Sequence, residues 1–534
     1  RDYYASRGLG DVYKRQFLHI TCYSQKVISW GDQGDGTFRN PILNANYPDS
    51  DVERYGDKWY MISSTSMLAP GMTILESVDL VNWTIKSHVY DHVSWRKDYD
   101  YSVMSSKRGG VWAGDLVFHN GEWFCYVIDP EAGLFVSVAK DISGPWSAPV
   151  LIYEAVNWTD PCVFFDYDNK NAYLLCHTNT DKETRLYDNK IFKLSWDGRK
   201  LLDDGTVFYR GKMAEAAKMY KKDGFYYVFI SQWIKKDKVN DRKQLVLRSK
   251  SPYGPYESKV VLERGNGCNR SCCQGSLIRA PDGNWWFMHQ LVQSKDSYEG
   301  RPQFLIPVSW ENDWPVLGED PDGNGIGNTI WQWKKPVSGG NIIKPQTSDD
   351  FDYCKLSPQW AWYYTPNNLK WSLTERDGYL RMRPVRQLSP EDFLKTPNIL
   401  SQRKMGKGKD TVTVRICLTE LSVGINLGMT NFSSDYNNIG LKFDGKVCKI
   451  YENRNGNMTF LSEYVNDVIY FRTIMNGDKG ILQYSQDGLT FIGSSDEFIM
   501  RPKGFMSQRI GFYCYNNDSD TGFVDIDWFK YTYE

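Results

Sequence analysis

Asp223-Gly224-Phe225-Tyr226-Tyr227 joins a tight-turn dipeptide to three aromatic residues, and the phrase recurs along the first two thirds of the chain. Versions of it stand at Gly56-Asp57-Lys58-Trp59-Tyr60, Asn120-Gly121-Glu122-Trp123-Phe124, Asp168-Asn169-Lys170-Asn171-Ala172-Tyr173 and Asp282-Gly283-Asn284-Trp285-Trp286. Asn-Gly and Asp-Gly supply the positive φ angles that a two-residue hairpin demands, and aromatic residues suit the paired strands beside it. The copies are spaced by roughly 50 to 65 residues, the length of one four-stranded propeller blade. A second marker follows, with the look of an outer strand and its exit turn: Ser77-Val78-Asp79-Leu80-Val81-Asn82-Trp83, Ser143-Gly144-Pro145-Trp146, Leu194-Ser195-Trp196-Asp197-Gly198 and Tyr253-Gly254-Pro255-Tyr256. Five repeats predict a five-bladed β-propeller over residues 38–335. Unrelated hairpins in a sandwich would account for the turns but not for their even spacing.

Composition shifts at Pro336-Val337-Ser338-Gly339-Gly340, which reads as a linker over 336–348. From 349 to 534 short alternating runs return, as in Trp371-Ser372-Leu373-Thr374, Gly378-Tyr379-Leu380-Arg381-Met382-Arg383 and Phe523-Val524-Asp525-Ile526-Asp527-Trp528. This is the pattern of a β-sandwich, so an all-β chain of two domains is expected, with no long amphipathic helix. Residues 1–37 are set apart from the fold. Arg1–Gln16 (RDYYASRGLGDVYKRQ) resembles translated adapter read-through, and Phe17-Leu18-His19-Ile20-Thr21-Cys22 has the apolar character of an export-signal stub, with Cys22 a candidate lipid-anchor site. Export to the periplasm or medium is the expectation.

The 534 residues exceed what one core holds, in keeping with two domains. With 64 basic and 65 acidic residues the net charge is −1, and no basic stripe marks a nucleic-acid binder. No apolar run reaches the roughly 20 residues needed to span a bilayer as a helix. The aromatic share of 15% suits both pleated strands and the apolar faces of sugars. Of the 11 cysteines, Cys125, Cys162, Cys176, Cys417, Cys448 and Cys514 lie in strand-like apolar runs as small hydrophobes. Cys268, Cys272 and Cys273 form a local cluster with room for a disulfide but no zinc spacing. The 6 histidines form no ligand pair, and no glycine-rich phosphate loop is present. Asp320-Pro321-Asp322-Gly323-Asn324-Gly325 opens like a calcium loop, but Trp331 takes the place of the bidentate Glu, so it reads as a polar turn.

Three carboxylates stand at the edge of an apolar strand just ahead of a hairpin, where a charge is costly unless it has a purpose. They are Asp49 in Tyr47-Pro48-Asp49-Ser50-Asp51-Val52, Asp160 in Trp158-Thr159-Asp160-Pro161-Cys162-Val163, and Glu215 in Met213-Ala214-Glu215-Ala216-Ala217-Lys218. The innermost strands of a propeller bring such residues to one funnel mouth. Glycoside cleavage needs an acid to protonate the leaving oxygen and a second carboxylate, held roughly 6.5–9.5 Å away when it activates water. Asp beside Pro is also ordinary turn chemistry, and for Asp49 or Asp160 taken singly that reading competes. Glu215 among apolar neighbours does not fit it.

The order Asn40-Pro41-Ile42-Leu43, Tyr47-Pro48-Asp49, Arg54-Tyr55-Gly56-Asp57, Ser63-Ser64-Thr65, Asp79-Leu80-Val81-Asn82-Trp83, Gly110-Val111-Trp112-Ala113, Trp158-Thr159-Asp160-Pro161, Glu215-Ala216, Gly275-Ser276-Leu277 and Gly300-Arg301 resembles the family 43 glycoside hydrolases, the β-xylosidases and α-L-arabinofuranosidases. The likeness extends through Asp350-Phe351-Asp352 and Asp527-Trp528-Phe529. It implies a five-bladed propeller followed by a sandwich of concanavalin or jelly-roll type, acting by inversion on xylan-derived oligosaccharides or arabinoxylan from plant cell walls. It assigns Asp49 as general base, Glu215 as general acid with its pKa raised by burial and a neighbouring carboxylate, and Asp160 as the third carboxylate that tunes and orients Glu215. Arg301 would hydrogen-bond the sugar and Trp112 would wall it.

Departures from the family pattern bear on specificity. Pro48-Asp49-Ser50-Asp51 shifts a proline and makes Asp51 a competing base, Ala216-Ala217 replaces Ala-Pro, Asp115 follows Gly114 where a proline is usual, and Gln274 stands where many members carry a histidine near the axis. No cofactor is required by this chemistry; Asp350 and Asp527 are candidates for a structural calcium in the sandwich. The rival from another class is a catalytically silent sugar-binding propeller, against which three intact carboxylates argue. A fructan-cleaving propeller lacks its Asn-Asp-Pro-Asn nucleophile stretch here.

Overall fold

The computed structural model describes residues 30–106, 109–178, 183–236, 239–265, 270–292, 297–406, 408–493, 496–501 and 506–534. The adapter-like stretch, the apolar stub with Cys22, and Cys268 lie outside these residues. The only helical elements described are three single 3-10 turns, and no helix is long and apolar enough to cross a membrane.

Five sheets follow one another, each laying four antiparallel strands side by side in chain order, the fourth adding Gly327–Asn328 as a parallel fifth. Their first strands are β1 (Asp51–Tyr55), β2 (Gly114–His119), β3 (Trp158–Asp166), β4 (Glu215–Lys222) and β5 (Cys272–Arg279). These touch in cyclic order, with β5 against β1, which is the closed ring of a β-propeller around its axis. The repeated hairpins are where the sequence puts them. Asn120 (φ 50°) and Gly121 (φ 79°) turn the chain between the paired residues His119 and Glu122. Asp223 (φ 50°) and Gly224 (φ 74°) do so between Lys222 and Phe225. Two successive positive φ angles make the type I′ turn whose twist matches that of the strands.

Aromatic and branched side chains fill the wedge between neighbouring sheets. Tyr60, Ile62 and Ile74 of the first sheet meet Leu116, Trp123 and Cys125 of the second, and Cys162 and Cys176 are likewise buried hydrophobes. The sandwich from 349 onward sets two large sheets face to face around Val412, Val414, Ile439, Phe471 and Phe529. Val412, Val414 and Ile416 alternate with outward residues along Lys409–Glu420, the period-two pattern of a half-buried strand.

The two parts share a sheet. Leu68–Ala69, from the first propeller sheet's own connection, pairs with Ala361–Tyr363 as the edge strand of the sandwich. Residues 30–37, set aside in the sequence reading, belong to the fold from Trp30 onward. Gly31–Asp32 and Thr37–Arg39 pair with each other and with Gln332–Lys334, and Lys335 reaches the carboxylates of Asp32 and Asp79. Trp30 is buried.

Candidate active site

The candidate carboxylates lie at the N-terminal ends of the ring-forming strands, and a backbone distortion recurs there. Asp49 (φ 57°), Asp160 (φ 54°), Ala216 (φ 57°) and Gln274 (φ 52°) all adopt left-handed backbone. The pairing register slips at the same place, between Thr159 and Cys162, Glu215 and Lys218, and Cys273 and Gly275. Each is a bulge, which bends a strand and re-aims its side chains. A left-handed residue with a side chain costs about 1–2 kcal/mol. Four such costs at corresponding positions mark the end of the ring where the fold tolerates strain for side-chain direction.

Asp49 is held by three side chains. Ser64 donates to its Oδ2 at 2.5 Å, and Arg301 Nη1 and Gln290 Nε2 donate to Oδ1 at 2.5 and 3.2 Å. Its own backbone N–H donates to Gln290 Oε1 at 2.8 Å, and Gln290 in turn donates to Gln274 at 2.7 Å. Gln274, the departure from the family pattern, thus belongs to the support of Asp49.

Asp160 has its pKa raised well above the usual carboxylate value by burial, and then by the charges of Glu215 and Asp49. That mutual influence brings the three predicted carboxylates within one electrostatic neighbourhood. His177 Nδ1 lies 3.6 Å from Asp160, but burial pushes the imidazole down to about 4, so the ring is neutral at physiological pH and the pair is no salt bridge. Thr159 Oγ1 lies 2.7 Å from its Nε2, and Tyr187 stacks on its face with centroids 5.1 Å apart.

Glu215 forms an ion pair with Arg242, whose guanidinium is 6% exposed, also donates to Ser231 and lies over the Trp233 ring. Lys218 and Arg242 oppose the rise at Asp160 without cancelling it.

One layer further along the strands, Asp51 and Asp115 share the buried ammonium of Lys218, each at 2.8 Å. Asp51 also accepts from the Leu116 N–H and the Ser276 hydroxyl, and Asp115 from the Val163 N–H. These groups come from β1, β2, β3, β4 and β5, so one polar knot ties all five strands. Burial opposes the charge on Lys218, but Asp115 and Asp51 carry its pKa well above the ordinary value. Burial, offset by Lys218 and reinforced by Asp51, pushes Asp115 up to about 6. Asp51 is therefore taken by Lys218 and is not poised as a base, and the unexpected Asp115 is its partner. A channel of about 320 Å³, lined by Glu53, Phe118, Phe164 and Trp285 among others, lies beside this knot.

Arg301 binds Asp49, and its backbone N–H donates to Asn46 Oδ1 at 2.9 Å. Trp112 enters β2 two residues ahead of Gly114, as Asp49 enters β1, with its indole N–H on Gly109 O at 2.7 Å. Asp527 pairs with Arg415, and Asp350 is exposed on the sandwich. Asp320 accepts the N–H groups of Asn324 and Gly325, the polar turn expected. Sequence reasoning missed Arg242, Gln290, Ser64, His177 and Lys218. Buried Arg242 amid Asp241-Arg242-Lys243 carried a faint signal, since three charges in mid-strand leave at least one facing inward.

Comparison with known proteins matches this architecture. The family described as Glycosyl hydrolases family 43 covers residues 38–315, and the Beta xylosidase C-terminal Concanavalin A-like domain covers 348–532. A beta-xylosidase of Formosa agariphila is 42% identical across 95% of this chain and 92% of its own length. A non-reducing end alpha-L-arabinofuranosidase of Bacteroides ovatus is 29% identical across 65% of each chain. A solved bifunctional GH43-CE protein of Bacteroides eggerthii superimposes with a TM-score of 0.81 at 27% identity over 93% of this chain, which spans 64% of that longer chain. With the family matched over more than half of the chain and 95% of the chain aligned to a relative at 42% identity, this protein belongs to glycosyl hydrolases family 43.

Proposed function

We propose that the protein removes xylose or arabinofuranose units from xylan-derived oligosaccharides or arabinoxylan by a single inverting displacement. The observation that carries the reading is the convergence of charge at Asp160, which feels both Asp49 and Glu215 although 111 and 55 residues separate it from them. Asp49, oriented by Ser64, Gln290 and Arg301, takes a proton from water as the water oxygen bonds to the anomeric carbon. Glu215 gives its proton to the glycosidic oxygen as that C–O bond breaks, so the sugar leaves with inverted configuration. Asp160 keeps a proton within the coupled pair it forms with Glu215, because closely placed carboxylates resist simultaneous ionisation. Arg301 fixes the base and the sugar in one frame, and Trp112 walls the site. The relatives' names, a beta-xylosidase and an alpha-L-arabinofuranosidase, supply the two sugars between which the proposal leaves a choice. The chemistry needs no cofactor, and a cell-wall polymer as substrate accords with an exported enzyme.

The test is hydrolysis of nitrophenyl β-xyloside and nitrophenyl α-arabinofuranoside, with the first-formed sugar followed by proton NMR. The α-anomer of xylose should appear first from the β-xyloside. Initial release of β-xylose would overturn inversion, and full activity of Asp49→Ala would overturn the assignment of the base.

A further inference from the structure

Arg403 and Arg509 sit directly opposite each other on neighbouring antiparallel strands of the sandwich, where like charges destabilise a sheet. Arg509 is 2% exposed. Every hydrogen bond of either guanidinium within the described residues goes to a neutral group: Asn46 O and the Thr73 hydroxyl for Arg403, the Ser401 hydroxyl and carbonyl for Arg509. No carboxylate among the described residues lies in ion-pair range of either. Burial lowers Arg403, and burial together with the charge of Arg403 pushes Arg509 down to about 9. Among the described residues the acidic group acting on both is the Tyr47 phenol, which is itself raised by burial and stays neutral. Two cations facing each other, Arg509 buried and Arg403 half-buried, with no counter-ion among the described residues, form an arrangement that proteins ordinarily avoid.

Both arginines line a cavity of about 20 Å³ between propeller and sandwich, shared with Pro48 and the hydroxyl-bearing Ser64, Thr65 and Ser66. That space admits a single water-sized occupant. It suits one small anion such as a halide. We propose that this cavity binds one small monovalent anion of the chloride class, held between Arg403 and Arg509. The anion supplies the missing negative charge at the seam between the two domains. It does so next to Ser64, whose hydroxyl holds Asp49. The site is independent of the glycosidase reading, since its occupancy is measured without turnover.

The direct experiment is a crystal of the wild-type protein grown in sodium bromide, with diffraction collected at the bromine edge. An anomalous peak between the two guanidiniums is expected, and bromide sites elsewhere with none there would overturn the proposal. In solution, the thermal midpoint of the wild type should rise saturably by a few degrees in chloride over gluconate, an anion too large for the cavity, at matched ionic strength. Arg509→Gln should abolish that chloride-specific rise. Equal midpoints for the wild type in the two salts would sink the idea whether or not the variant folds.

Discussion

Asp49 and Asp51 stand two residues apart at the entrance to β1, and the molecule surrounds them in opposite ways. Asp49 takes its hydrogen bonds from Ser64, Gln290 and Arg301 at the strained rim of the ring, beside two more carboxylates. Asp51 takes Lys218, Ser276 and a backbone N–H in the layer below, where a second aspartate shares the same ammonium. The lower layer spaces the strands, and the upper layer uses that spacing. Lys218 lies three residues past Glu215 on β4, and Val163, which donates to Asp115, lies three past Asp160 on β3. Charge in a propeller axis therefore serves as mortar when an opposite charge balances it and as chemistry when it is left crowded.

The largest expected effect separates the layers outright. Asp49→Ala should lower kcat/KM by about 10⁴-fold, the upper end for a lost general base, without lowering the thermal midpoint. A matching fall in stability would show that Asp49 belongs to the mortar. Lys218→Met should do the reverse, destabilising the protein by about 3–5 kcal/mol because two buried carboxylates lose their cation. Chemical denaturation measures this, and a change below about 1 kcal/mol would dissolve the distinction between the layers.

Glu53 tests the lower layer by pH. Burial, then Asp51 and Asp115, raise its carboxyl to about 8 from an ordinary 4.5. Between those two values the folded protein holds a proton that the unfolded chain has released, so this group's contribution to stability falls as pH rises and the full penalty stands above pH 8. Glu53→Gln should thus be neutral at pH 4 and stabilising at pH 9, by up to about 5 kcal/mol. A constant difference across the range would refute the assignment. The smallest effect belongs to the upper layer. The crowding of Asp160 and Glu215 keeps one proton on the pair as pH rises, and asparagine at position 160 removes that crowding. Asp160→Asn should move the alkaline limb of the kcat/KM profile down by about one pH unit, and an unmoved limb would limit Asp160 to orientation.

Much of this frame was legible from local chemistry. Asn120-Gly121 and Asp223-Gly224 announced their hairpins because positive φ is a property of the dipeptide itself. Asp49, Asp160 and Glu215 were visible as charges at the edge of apolar runs. What escaped were partners fixed only by closure of the ring: Lys218 meets Asp115 across 103 residues and Arg301 meets Asp49 across 252. A lysine in Lys218-Met219-Tyr220-Lys221 reads equally well as solvated until both neighbouring strands are in place. Arg242 escaped for the same reason, since it is brought to Glu215 by the sheet and not by spacing. Leu68–Ala69 is too short for any alternation to show, and its pairing with residues nearly 300 positions later has no local signature.

That two-residue strand changes what severing the chain would mean. Residues 336–348 look like the seam between a catalytic unit and an accessory one, yet the sandwich's outermost rung is contributed by the propeller. A cut there would strip the sandwich of its closing strand and leave Ala361–Tyr363 as a bare edge open to pairing with other chains, while the cleft-side loop carrying Leu68 lost its anchor. The halves are thus coupled through a shared sheet, and separating them would leave an edge exposed on one and a strand without its partner on the other.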